Sequence, residues 1–270
     1  MVERPSRPPY KKNSDRRAAS RKPSSRKPTD RRATDRDLPR PTQDGVRRDK
    51  KLSARDENRR IRKFAEPEIP IEVTGKELEK RDAFALGTLA PENCEAVARH
   101  LVCIRLFLES DPERAYWHGQ SAVFRAGRIG IVRERAGIAA LNFGKYEMAQ
   151  KELRAAIRIS GSQSALPYLA HTELALGNPR KALEIAGSID PKELTQSERV
   201  ELRLAAAGAR RALGQDEAAV VTLTCPELTL TDASWAAKLQ EAYIEALIAA
   251  GRSNEAEVFA AKYRKSESSR

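Results

Sequence analysis

Three histidines are the side chains best suited to acid–base or metal chemistry near neutral pH. His100, His118 and His171 are widely separated in the chain, and none lies in an HExxH pattern or beside a recognisable nucleophile motif. The sequence also has no glycine loop of the phosphate-binding or dinucleotide-binding kind, because its glycines mark turns. We therefore predict no catalytic residue, no metal ligand, no bound cofactor and no enzymatic activity.

The number and spacing of the cysteines indicate the cellular compartment. Cys94, Cys103 and Cys225 are an odd number without CxxC spacing, which is typical of reduced thiols in a cytosolic protein without zinc. The basic N-terminus is not followed by an apolar segment of signal-peptide length, and no stretch approaches the length of a membrane span. These features predict a cytoplasmic protein with no membrane partner.

Positive charge is concentrated at the N-terminus. Residues 1–63 hold 23 Lys or Arg and 9 Asp or Glu, a net charge of +14, whereas the whole chain carries +12 and the remainder therefore −2. This segment has one aromatic residue, Tyr10, and few aliphatic ones, so it cannot bury enough apolar surface to offset the entropy of ordering. We predict a disordered basic tail attached to a nearly neutral body.

Four consecutive pentads, each with two basic residues, occupy residues 16–35 of the tail. In an extended chain, which rises about 3.3 Å per residue, a basic pair recurs every ~16 Å, a spacing suited to phosphate contacts with RNA or DNA. The alternative is a solubilising extension without a specific ligand. The predicted nucleic-acid contacts are Arg16, Arg17, Arg21, Lys22, Arg26, Lys27, Arg31 and Arg32.

The rest of the chain has helical composition, and one local pattern recurs in it. A helical stretch leads into Gly144, and a second one leaves from Tyr146 with Ala149 on its apolar side. Two helices joined by so short a turn must fold back as an antiparallel pair, and Ala149 lacks bulk where the helices approach each other. The pattern of turn residue and alanine five positions later comprises Ser110/Ala115, Gly144/Ala149, Gly177/Ala182, Gly214/Ala219 and Gly251/Ala256. Seven residues before each turn residue lie Cys103, Gly137, Ala170, Ala207 and Ile244.

An all-helical repeat of about 34 residues with these features resembles the tetratricopeptide family. The resemblance covers residues 96–263 in five units, although the tryptophan, first-helix tyrosine and closing proline of that family are mostly missing. It implies an all-α fold, a right-handed α-solenoid of about five helical hairpins. An irregular helical bundle is the alternative. The predicted pairs are 92–109 with 111–126, 130–143 with 145–160, 165–176 with 179–189, 195–213 with 216–223, and 233–250 with 254–264.

The domain organisation follows from these patterns. We assign residues 1–66 to the tail, 67–90 to a linker with a capping helix, 91–264 to the repeats and 265–270 to a disordered C-terminus. The sequence from Thr74 to Glu77 has capping-box spacing and predicts a helix to about Leu86. Leu78 and Phe84 are expected to dock that helix on the first pair.

In related repeats the first helices line a concave groove that holds a peptide or a partner helix. The function implied is a non-enzymatic scaffold that binds a protein or peptide partner, with an acidic partner favoured by the arginines and His171. The alternative is an RNA- or ribosome-associated adaptor whose tail contacts phosphates while the repeats recruit a partner. Repeat register places these residues in the groove: Glu134, Arg135, Tyr168, His171, Arg210, Arg211 and Glu245.

Overall fold

The computed structural model describes residues 66–231 and 233–267, with the side chains of 263–267 excepted. The predicted tail and its eight candidate nucleic-acid contacts lie outside these residues. Within them the fold is all-α, with no strand, so this part of the prediction is confirmed. The helices are α1 (Lys80–Ala85), α2 (Pro91–Phe107), α3 (Pro112–Ala126), α4 (Gly130–Asn142), α5 (Tyr146–Ser160), α6 (Leu166–Ala175), α7 (Pro179–Gly187), α8 (Gln196–Ala212), α9 (Asp216–Leu223), α10 (Ala236–Ala249) and α11 (Ser253–Glu267).

From α2 onwards the helices pack as sequence-adjacent pairs, and their bounds match the predicted ones within a few residues. The last helix continues to Glu267, past the expected end at residue 264. Two 3₁₀ turns, Pro191–Glu193 and Pro226–Thr229, lie between the later pairs, ahead of α8 and α10.

Each later pair turns at a glycine in the left-handed region, where residues with a side chain are strained. The residue after that glycine donates its backbone N–H to a carbonyl five residues earlier, as from Lys145 to Ala140 at 2.8 Å, which closes the helix end. The four glycines are Gly144 (φ 74°), Gly177 (φ 80°), Gly214 (φ 72°) and Gly251 (φ 75°).

The small residues lie at the closest helix approaches, as predicted. Ala149 is fully buried, and the alanines at the equivalent position of the other pairs are at most 2% exposed. Gly137 of α4 also has no room for a larger side chain, because a Cβ there would lie 2.7 Å from Cγ of Leu153 in α5. The recurring pattern therefore marks the sites where two helices touch.

The packing at Ala149 gives a direct prediction. Ala149→Leu adds bulk at a fully buried position of α5, and we expect a loss of roughly 1–3 kcal/mol in the free energy of unfolding. Thermal melts followed by circular dichroism measure it. The matched control is Ala212→Leu at an exposed position of α8, and an unchanged melt for Ala149→Leu would contradict the tight packing.

Residues 66–90, here called the N-terminal strap, run over α2, α3 and α4 before the first pair begins. Arginines of these helices hold the strap. Arg125 pairs with Glu66 at 2.7 Å through two nitrogens, and Arg135 bonds Asp82 at 3.0 Å. Arg99, Arg105 and Arg114 donate to the backbone carbonyls of Val73, Glu77 and Glu68 at 2.9–3.1 Å.

The capping helix differs from its prediction in two ways. The Thr74 and Glu77 side chains are hydrogen-bonded at 2.8 Å, but Gly75 has φ 86°, so the chain leaves helical geometry there and α1 begins only at Lys80. Leu78 packs against the first core as expected, whereas Phe84 is 88% exposed and the prediction that it docks is wrong. Leu86, which is fully buried, takes that role.

Candidate functional site: the first-helix row

The first helices of the five pairs form a continuous series. Each of α2, α4, α6, α8 and α10 contacts the next one in this order, in addition to its own partner helix. We call these five helices the first-helix row. The predicted groove residues belong to α4, α6, α8 and α10, so their positions along this row can be compared directly.

The two predicted residues of α4 are already engaged. Glu134 is buried and accepts a hydrogen bond from the Ser164 hydroxyl, with 2.6 Å between the oxygens. Burial raises the pKa of Glu134 above its usual range. Arg135 pairs with Asp82 of α1 at 2.9 Å and lies 3.8 Å from Glu79. The strap therefore covers this end of the row.

The two predicted residues of α6 lie at a cluster that extends over α8 and α10. Nε2 of His171 is 3.1 Å from Oε2 of Glu201, and Nζ of Lys238 is 3.0 Å from both oxygens of the same carboxylate. Burial opposes ionisation of Glu201, but His171 and Lys238 together hold its pKa below the usual value. Burial and the Glu201 charge raise the pKa of Tyr168.

The remaining three predicted residues divide between two sides of α8. Nη1 of Arg211 bonds Glu245 of α10 at 2.8 Å, and both side chains are substantially exposed. Arg210 turns away from this pair and donates to the Ala218 carbonyl of α9 at 3.0 Å. Arg211 and Glu245 thus lie together on the first-helix row, and Arg210 does not join them.

The strap also reaches the middle of the row. Nη1 of Arg81 in α1 lies 3.4 Å from Oε1 of Glu198, the capping-box residue at the start of α8. Together with the contact between Asp82 and Arg135, this pair fixes α1 between α4 and α8. At the α8–α10 end, Arg211, Glu245 and Lys238 remain exposed.

The charges on the row are balanced. Arg135, His171 and Arg211 were expected to form a positive surface, and each lies beside a carboxylate of the chain itself. Asp82, Glu201 and Lys238 were missed by the sequence reasoning. The sequence does contain a signal for one of these contacts. Glu201 and Lys238 are 37 residues apart, which is also the spacing of Ala182, Ala219 and Ala256, so the two residues occupy equivalent positions in successive pairs.

A second group of titratable side chains is buried inside the first pair. His100 and His118 are at most 1% exposed, with 3.0 Å between their Nδ1 atoms. Phe107 stacks on His118, and Nε2 of His100 is 3.8 Å from Glu66. Burial lowers the pKa of both histidines, that of His118 to about 4, so both rings are neutral near pH 7.

Neither chemistry nor similarity assigns a ligand to this site. Among residues 66–231 and 233–267, no group of three His, Cys, Asp or Glu side chains is arranged to hold a metal ion. Comparison with protein-family models, with curated proteins and with solved structures found no match. None of the described helices has the length and apolar character needed to cross a membrane.

Proposed function

We propose that this protein is a non-enzymatic scaffold that binds a protein or peptide partner on the first-helix row. The observation that carries the proposal is the unbroken contact series α2, α4, α6, α8 and α10, which is how a tetratricopeptide-like, right-handed solenoid of five hairpins presents its concave surface. The left-handed turn glycines and the buried alanines support the same architecture.

The partner binds at the α8–α10 end, since the strap covers the other end. The charged groups available there are Lys238 and the exposed pair of Arg211 and Glu245. Because each positive group already has a carboxylate beside it, a uniformly acidic partner gains little net attraction. A partner segment with alternating charges complements this surface better, with an acid facing Arg211 and a base facing Glu245.

A charge swap tests the proposal. Arg211→Glu combined with Glu245→Arg keeps the ion pair and the net charge but reverses its direction, so stability should change by less than about 1 kcal/mol. We expect the full chain to retain its partner in affinity purification with quantitative mass spectrometry, and the swapped chain to lose it. The matched control is Glu257→Lys with Lys262→Glu, two exposed positions of α11. An identical retained set in all three samples would contradict binding on this row.

The charge separation of the sequence favours a second candidate function, a nucleic-acid-associated adaptor. In it the tail neutralises phosphates of RNA or DNA without sequence preference, while the row recruits the partner. A tail that neutralises six to eight phosphates gives an affinity for single strands that falls with log salt at a slope of roughly −4 to −6.

Fluorescence anisotropy of a labelled single strand across a salt series measures that slope. Glutamine at the eight basic positions of the four pentads should remove most of it, because those side chains release the counterions. The control variant has glutamine at the eight basic positions of residues 47–62. It removes the same number of charges from the tail but leaves the four pentads intact. Binding that is weak for every oligonucleotide at low salt would exclude the adaptor and leave the scaffold proposal untouched.

A further inference from the structure

A cavity of about 360 Å³ lies between α7, α8 and α9, and Arg210 is the one predicted groove residue that lines it. One face of α8 lines it with Arg199, Leu202, Arg203, Ala206 and Arg210, whose spacing of three, four and seven residues places them on one side of a helix. The opposite walls come from Leu183, Ala186, Gly187, Pro191, Gln215 and Thr222. The volume falls within the range of about 300–1,000 Å³ typical of small-molecule sites.

The cavity exists because the neighbouring helices are short and their walls are small. α7 and α9 have 9 and 8 residues, whereas the second helices of the first two pairs, α3 and α5, have 15 each. Ala186 and Ala206 contribute one methyl group each, and a Cβ placed on Gly187 would meet no atom within 4 Å. Leu183 and Leu202 supply apolar wall surface.

The lining of this cavity carries a net positive charge, because it contains three arginines and no Asp or Glu. Arg199 is held by Glu227 at 3.4 Å, and the charge of Arg203 also acts on that carboxylate. Arg203 and Arg210 donate one hydrogen bond each, both at 3.0 Å, to the backbone carbonyls of Thr222 and Ala218. No carboxylate of the described residues lies within ion-pairing distance of either, so most of their N–H groups are available to a ligand.

The two ends of the cavity differ. Arg203 and Arg210 are seven residues apart, about 10 Å along the helix axis. Glu227 partly offsets the charge at the Arg203 end, whereas Arg210 has no ion pair among the described residues and the lining contains no Asp or Glu. We propose that this cavity binds an amphiphilic anion, with the carboxylate or phosphate head on Arg210 and the apolar tail along Ala206 and Leu202.

Four ten-carbon probes test the charge requirement on the full chain by isothermal titration calorimetry. Decanoate and decyl phosphate should bind once per chain, and decanol and decylamine at least about 10-fold more weakly, since a hydrogen bond between charged groups typically contributes a factor of about 10 or more. Whichever anion binds more tightly identifies the head group as carboxylate or phosphate. Equal affinities for the anions and decylamine would overturn the proposal.

Variants then locate the site. Arg210→Gln should weaken decanoate binding at least about 10-fold, Arg203→Gln should weaken it less, and Ala206→Phe should abolish binding by filling the cavity. Arg211→Gln is the matched control, because it removes the same charge one residue away in α8, where the side chain pairs with Glu245 of α10 and does not line the cavity. Unchanged affinity in Ala206→Phe, with a melting curve that shows a folded chain, would also overturn the proposal.

Discussion

Replacing Arg133 by methionine should lower the free energy of unfolding by about 3 kcal/mol, because it leaves a buried carboxylate without its main counter-ion. Arg133 of α4 pairs with Glu152 of α5, which is 1% exposed, and also donates to the Gly127 carbonyl at 2.7 Å. Lys151, 3.6 Å from Glu152 and half exposed, offsets only part of the loss. Urea unfolding followed by circular dichroism measures the change.

Two further variants separate the buried charge from the lost packing. Arg133→Met with Glu152→Met removes both charges and should return to within about 1 kcal/mol of the parent, because a buried ion pair is worth little against well-packed apolar groups. Arg154→Met is the matched control. Its partner Glu173 is also buried but keeps three other donors, Gln150, Asn178 and Lys181, at 2.9–3.2 Å. A double variant as unstable as Arg133→Met would show that the arginine acts through packing alone.

The helical pairs could be predicted from the sequence because their determinants are local. A left-handed turn tolerates only glycine well, and a close helix approach tolerates only small residues. The residue types at Gly144 and Ala149 therefore indicate the turn and the helix contact directly. The start of α2 at Pro91 is local in the same sense, since proline suits the first helical turn. These signals require no knowledge of which pair packs on which.

The side-chain partners could not be predicted because they depend on distant residues. Arg135 is 53 positions from Asp82, and Arg81 is 117 positions from Glu198. Repeat register placed Arg135 on the inner side of its helix but carried no information about the strap that meets it. Repeat register was also too coarse within one helix. Successive residues of a helix point about 100° apart, so Arg211 faces α10 while the adjacent Arg210 faces α9.

The contact between His100 and His118 escaped the sequence analysis for the same reason. The two residues are 18 positions apart on different helices, and no motif joins them. At 3.0 Å, one Nδ1 must carry the hydrogen and the other must accept it, so the buried pair has no place for an additional proton on this contact. Glu66 faces His100, while Arg99, Arg114 and Arg125 add nearby positive charge that also disfavours protonation.

Stability should therefore fall as the pH drops below about 6.5. In the unfolded chain a histidine gains a proton near its ordinary pKa of about 6.5, whereas in the folded chain the pKa of His118 is about 4. Between these values the unfolded state binds more protons, so acid favours it, and the stabilisation is complete only above the unfolded pKa. One such group contributes at most about 1.4 kcal/mol per pH unit, or roughly 1.5 kcal/mol between pH 6.5 and 5.

Urea unfolding at intervals from pH 7.5 to pH 5 measures this loss before most carboxylates titrate. His100→Leu with His118→Phe should flatten the curve, since the apolar pair removes both titrating groups and phenylalanine keeps the stacking on Phe107. His171→Asn, at a half-buried histidine on the first-helix row, should leave the loss in place. A parent protein whose stability is constant from pH 6.5 to 5, or a double variant that declines as steeply as the parent, would mean that the buried pair accepts protons without cost.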